Sequence, residues 1–194
     1  MSRAWITLAL LAACSHRAEP PRPVRESAAT MNAATIPDAP VHGDLDGRPF
    51  ALRAAWLRVV RRAGQTRVDL VLSEGRPSRL CAQPTPVDAR QVIVRLPGVT
   101  RLPLGTLRVE TAGAAGEVFA EAPHGHGITA ARGAALVVVT RADEGHAEGR
   151  LRVCLADARG SCLAGTFAAH ACSDELDLDG PRGARDRRAD GGGI

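Results

Sequence analysis

The chain has 194 residues, of which 45% are hydrophobic, 24% charged and 3% aromatic, and its formal net charge is +4. That length holds one domain with extensions or at most two small domains, and the apolar fraction excludes wholesale disorder. All 25 basic side chains are arginine, no run of 18 apolar residues offers a membrane-spanning helix, and 20 Gly with 13 Pro argue against a helical bundle.

Met1-Ser2-Arg3 sets one positive charge ahead of residues 4–13, an apolar stretch interrupted only by Thr7. This is the layout of a secretory signal. At ~1.5 Å per residue the stretch covers about 15 Å as a helix, half of the ~30 Å hydrocarbon core, so it cannot remain as a spanning anchor. It ends Leu11-Ala12-Ala13-Cys14, and these four residues resemble the lipobox of bacterial lipoproteins. The resemblance implies that residues 1–13 are a signal peptide, that the Cys14 thiol receives a diacylglycerol, and that the new amine is acylated after cleavage. Acyl chains at ~0.8 kcal/mol per buried CH₂ would then anchor the chain to a bilayer almost permanently. Ser15 resembles the outer-membrane class of Gram-negative lipoproteins, in which Asp at that position favours the inner membrane. The alternative is a plain signal peptide that happens to contain a cysteine.

Residues 14–40 contain Pro20, Pro21, Pro23, Pro37 and Pro40 with many Ala and no apolar periodicity. They read as a solvated tether behind the lipidated Cys14, with a cleaved propeptide as the alternative. Residues 41–172 read as a single domain of strands. Leu52, Ala55, Trp56, Val59 and Val60 fit helical spacing, but Phe50, Leu52, Ala54 and Trp56 alternate nearly as well, and every neighbour is β, so a strand is expected. Val68, Leu70 and Leu72 alternate with Arg67, Asp69 and Ser73; Val92, Val94 and Leu96 precede Pro97-Gly98; Leu107 and Val109 alternate with Thr106, Arg108 and Glu110. Leu136 to Val139 is continuous and apolar, as expected of a central strand, and Leu151, Val153 and Leu155 alternate again. Period-two patterning at this spacing predicts an all-β domain, an antiparallel β-sandwich or a barrel-like relative. Residues 173–194 carry an acid block, a basic block and three Gly before Ile194, and read as a disordered charged tail.

Beyond Cys14, an even number of cysteines remains: Cys81, Cys154, Cys162 and Cys172. In an exported chain this suggests two disulfides, with three connectivities open. A hairpin turning through residues 157–161 selects one. Pairing Cys154 with Cys162 sets Val153 opposite Leu163 and Leu151 opposite Gly165 on the core face, with both sulfurs on the outer face at a spacing disulfides tolerate. Cys81–Cys172 follows by elimination. Zinc is disfavoured, since the gaps hold 72, seven and nine residues with no C-x₂-C knuckle.

Other constellations are weaker. His124-Gly125-His126 is the most ligand-like, with His146 elsewhere, but a third and fourth donor are not placed and a solvated loop explains it better. Glu175, Asp177, Asp179 and Asp186 have a partial calcium-loop spacing, spoiled by Arg182 at a normally apolar position. Ser161 has Asp157 nearby and His170 along the same hairpin, a generic grouping for a hydrolase. The arginines lack interleaved stacking aromatics, so a nucleic-acid partner is not expected, and no cofactor is implied.

Two further segments, Gly43-Asp44-Leu45-Asp46-Gly47-Arg48-Pro49-Phe50 and Gly165-Thr166-Phe167-Ala168-Ala169-His170-Ala171-Cys172, resemble the opening and closing strands of small bacterial lipoprotein β-domains. That likeness implies a fold and transfers no activity. The reading is a cell-envelope lipoprotein, anchored to the outer membrane through Cys14, whose domain is a non-enzymatic binding or structural module with an envelope protein or polysaccharide as partner. The rivals are a metal-binding protein or enzyme using the His124/His126 loop, and a subunit of an envelope complex.

Overall fold

The computed structural model describes residues 27–77, 81, 89–110, 116–121, 133–172 and 176–177. Its strands, in chain order, are β1 (His42–Leu45), β2 (Arg48–Ala51), β3 (Ala54–Arg62), β4 (Gln65–Ser73), β5 (Gln91–Pro97), β6 (Gly105–Glu110), β7 (Glu117–Glu121), β8 (Gly133–Ala142), β9 (His146–Leu155), β10 (Cys162–Ala171) and β11 (Leu176–Asp177). The fold is all-β, and a single sheet runs β6-β8-β9-β10-β3-β4-β5-β7. Its two end strands are neighbours in sequence, and the sheet's curvature brings them back together. A Cβ added at Gly116, which leads into β7, would lie 2.8 Å from a methyl of Val109 in β6, and one at Gly133 in β8 would lie 3.1 Å from a methyl of Val118 in β7. The result is a nearly closed barrel, the second of the two architectures that the alternation allows.

Alternation decides what fills it. Leu70, Leu72, Val92, Val94, Val109, Val118, Val137, Leu151, Val153, Leu163 and Phe167 point inward from seven strands and form one continuous core. Valine, leucine and alanine dominate because an eight-stranded barrel has an interior just wide enough for side chains to fill. Gly149 lies directly opposite Phe167, and a Cβ there would fall on the Val138 carbonyl and press on the Phe167 ring at 3.0 Å. This covering of a bare strand position by a cross-strand aromatic lets one of the few rings serve the core.

Within the 50–62 stretch, Phe50 and Ala51 end β2 and Ala54–Arg62 form β3, which pairs with β4 from Ala54↔Ser73 to Arg62↔Gln65. The terminal hairpin has the expected register, with Cys162↔Cys154, Leu163↔Val153 and Gly165↔Leu151. The opening Gly43–Phe50 motif is two strands rather than one: β1 and β2 form a hairpin whose Asp46 and Gly47 adopt φ of 55° and 68°. Gly43 and Gly165 stand where β1 and the preceding chain cross β10. A Cβ at Gly43 would fall on the Cys162 carbonyl, and one at Gly165 on the Ala39 carbonyl, so no larger residue fits either position.

Three expectations need correction. Residues 27–40 are not a solvated tether but part of the folded body. Ala28, Met31 and Ile36 are buried against Ala134, Leu136 and Cys154 on the outer face of β8 and β9. The Ala28 N–H bonds a Glu110 carboxylate oxygen at 2.6 Å, Arg108 donates to the Ala28 and Met31 carbonyls, and Pro40 bridges to Thr166. The second correction is that the sheet is not wholly antiparallel, since β10 meets β3 in parallel at His170↔Trp56 and Ala171↔Leu57. The third concerns the tail, where Leu176 and Asp177 continue along β3 in parallel, opposite Val60 and Arg61.

One end of the barrel is clasped by Arg90. Its guanidinium pairs with Glu74 and donates to the Leu45 carbonyl at 2.6 Å and the Pro49 carbonyl at 2.5 Å, tying β5 to the β1–β2 hairpin. Both partners of the ion pair are largely shielded, so the bonds are charge-assisted with little competition from water. Arg90→Ala is expected to lower stability by about 2 kcal/mol, read as a shift of the urea midpoint at constant slope; an unchanged midpoint would mean that the hairpin holds without the clasp.

Candidate binding groove and the outer face of the barrel

Four strands carry matched rows across the outer face. One row is apolar: Trp56, Val71, Ile93 and Phe119 are successive lateral partners on β3, β4, β5 and β7, with Cys172 packed on them. The next row is ionic: Arg58, Asp69, Arg95 and Glu117. Asp69 is fully buried although it points away from the core. Arg95 Nε donates to one of its oxygens at 3.1 Å, Arg58 Nε donates to the other at 3.3 Å, and Arg95 also donates to Glu117 at 2.6 Å. Arg67 Nε stands 3.3 Å from Asp69, close enough for attraction but out of line for a hydrogen bond. The Arg95 guanidinium also lies 4.6 Å from the Phe119 ring centre, joining the two rows by a cation–π contact. Burial opposes the charge on Arg95, but its bonds to Asp69 and Glu117 outweigh it and raise its pKa; burial lowers that of Arg67, and Asp69 offsets this only in part.

The sheet opens at the β10–β3 junction. Along its edge away from β9, β10 is flanked by β1 at residues 162–164, by Pro40 at Thr166, and by β3 at His170 and Ala171. Among the described residues no strand lies beside this edge between Thr166 and His170, and β3 has no partner on that side before Trp56. The two strands part as a wedge, leaving a groove of about 600 Å³ between Leu52–Ala55 on one wall and Thr166–Ala168 on the other. A continuation of about 320 Å³ adds Arg76, Pro77 and His170. Ala54, Ala55, Gly149 and Ala168 leave the space open because their side chains are short.

Charge around the groove is unbalanced. Arg53 and Arg76 are exposed on its rim and neither pairs with an acid among the described residues. Arg150 approaches Asp38 at 3.4 Å, but that aspartate is 86% exposed and the attraction is screened. Glu148 is the acid of the lining, and His146 Nε2 stands 3.1 Å from it. His146 in turn meets His170 edge to face, with ring centres 5.6 Å apart. Guanidinium groups of this kind recognise carboxylates in a two-pronged geometry, so the arrangement can receive an anionic group on an extended chain.

The four described cysteines form two disulfides: Cys81 to Cys172, with sulfurs 2.02 Å apart, and Cys154 to Cys162, at 2.09 Å. The Ser161 grouping is dispersed. Ser161 is 1% exposed, its Oγ donates to Asp157 and accepts from the Asp46 N–H at 2.7 Å, and His170 lies nine residues along β10, a distance of about 30 Å. Burial would raise the Asp157 pKa, but the Ser161 hydroxyl and the N–H groups of Ser161, Arg159 and Gly160 outweigh it and hold it below its ordinary 3.8. A depressed carboxyl contributes stability above the unfolded-state pKa and loses that contribution as pH falls through the folded value. Ser161→Ala should therefore destabilise by about 1–2 kcal/mol at neutral pH. The deficit should shrink as pH drops below 3.8, in paired denaturation curves; a deficit independent of pH would remove Asp157 from the account.

Cys14, His124, His126, Glu175, Asp179 and Asp186 lie outside the described residues. Among those described, no group of three His, Cys, Asp or Glu is placed to hold a metal ion, and no helix is long and apolar enough to cross a membrane. The sequence reading missed the grouping of Asp69 with its arginines; the available signal was the alternation of sign at outward positions of successive strands. It also missed Arg53 and Arg76, for which only the register of β3 against β10 supplies a reason. No family model, curated protein or solved structure matches the chain.

Proposed function

We propose that this chain is a lipid-anchored binding module of the cell envelope, with Cys14 in the outer membrane and the disulfide-stapled barrel presenting its β3–β10 groove to a partner. The observation that carries the binding reading is the open groove with two arginines on its rim, Arg53 and Arg76, that pair with no acid among the described residues. The address is supported by Leu11-Ala12-Ala13-Cys14 at the end of an apolar segment and by two cysteine pairs at bonding distance, which favour an oxidising compartment.

The test of the anchor is mass spectrometry of the mature N-terminus after expression in a Gram-negative host, together with membrane fractionation. The expected product begins at Cys14, carries a diacylglyceryl thioether and an acylated amine, and fractionates with the outer membrane. An unmodified Cys14, or a cytosolic chain with Cys81, Cys154, Cys162 and Cys172 all reduced, would overturn the proposal.

A further inference from the structure

We infer that the β3–β10 groove binds an acidic peptide in extended conformation, laid beside β10 so that its backbone bonds Ala168. The inference deepens the binding-module reading and rests on it.

The main chain supplies the first argument. Thr166 donates to the Ala39 carbonyl at 2.7 Å and accepts from the Val41 N–H at 3.1 Å, and Cys172 donates to the Leu57 carbonyl at 2.9 Å, all on the edge away from β9. Alternate residues of a strand direct their N–H and C=O to the same edge, so Ala168, midway between Thr166 and His170, offers its pair toward the groove. No strand lies beside that stretch among the described residues. With Thr166 bonded to Ala39 and Val41 and Cys172 to Leu57, Ala168 offers one donor and one acceptor, which together can hold one residue of an extended backbone.

Charge supplies the second. Arg53 and Arg76 line the two connected openings with no acid partner among the described residues, while Arg150 approaches the exposed Asp38 and Glu148 faces His146. In an extended peptide the side chains at alternate positions share one face, so acids two residues apart would all project toward one rim. Width supplies the third, because Ala54, Ala55 and Ala168 leave room for a backbone without displacing core residues. An anionic glycan would satisfy the charges but not the strand edge, and a flat lipid surface would not enter the wedge.

The experiment uses the full chain, oxidised and purified in detergent, with a fluorescein-labelled peptide of alternating Glu and Val followed by anisotropy. Binding is expected at low salt, weakening as salt rises, while the Lys–Val counterpart is not bound. Arg53→Glu/Arg76→Glu should weaken binding at least ~10-fold; both side chains are exposed and neither pairs with an acid among the described residues, and an unchanged unfolding transition confirms that the variant is folded. A competitor of the same sequence with every backbone nitrogen methylated, which has no N–H to donate to the Ala168 carbonyl, should displace the probe far less well than the parent. Absence of binding, equal binding of the Lys–Val peptide, or equal displacement by the methylated competitor overturns the inference, as does tighter binding of oligogalacturonate. Failure of the peptide to bind a chain acylated at Cys14 removes the peptide assignment and leaves the anchor standing.

Discussion

Replacing Cys81 and Cys172 together by alanine is expected to cost about 4.6 kcal/mol of stability, against about 2.6 kcal/mol for the same change at Cys154 and Cys162. The difference comes from the chain each bond closes, with sequence separations of 91 and 8. A link between distant residues removes far more freedom from the unfolded chain than one across a hairpin. The long link also has a local task. Cys172 packs with Trp56, Val71 and Ile93 on the outer apolar row, and its N–H bonds the Leu57 carbonyl at the point where β10 meets β3. Guanidinium unfolding of the two double variants under oxidising conditions would measure both losses. If the hairpin pair proved the costlier, chain entropy would not be the dominant contribution and local packing would have to replace it.

Asp69→Ala is expected to be as damaging, at about 3–5 kcal/mol, because it removes one member of a buried charge group and leaves the others uncompensated. Arg58, Arg67 and Arg95 all stand within 3.3 Å of that carboxylate, and none can lose its proton to relieve the repulsion. Glu117 would remain to neutralise Arg95 alone. Replacing Arg58 instead should cost less, since Asp69 keeps its bond from Arg95. The comparison by thermal or urea unfolding separates a true charge cluster from simple burial; equal losses in the two variants would argue that only packing is at stake.

The strands were legible wherever one face is apolar and the other polar. Val68-Asp69-Leu70, Val92 to Leu96 and Leu151 to Leu155 declare their period because they alternate between core and outside, and the 154–162 register followed from placing Val153 and Leu163 on one face. Other features depend on neighbours that a linear pattern does not name. Ala28, Met31 and Ile36 follow no period because they pack on the barrel's outside from an irregular segment held by Glu110 and Arg108. Asp69 occupies a position that alternation assigns to solvent, and only the arginines brought beside it by β3 and β5 remove it from water. The groove was not legible at all, because it exists where two strands far apart in sequence meet briefly and then diverge.

That brief meeting also sets an order of events. Trp56 must reach His170 before the wall is complete, so a chain emerging from a ribosome or a translocation pore cannot finish its tertiary structure until nearly all of the strands have been delivered. Such distant pairing makes assembly slow relative to local hairpins. The early meander of β3, β4 and β5 would wait with Val68, Leu70, Val92 and Val94 uncovered, exposing it to aggregation unless a chaperone shields it.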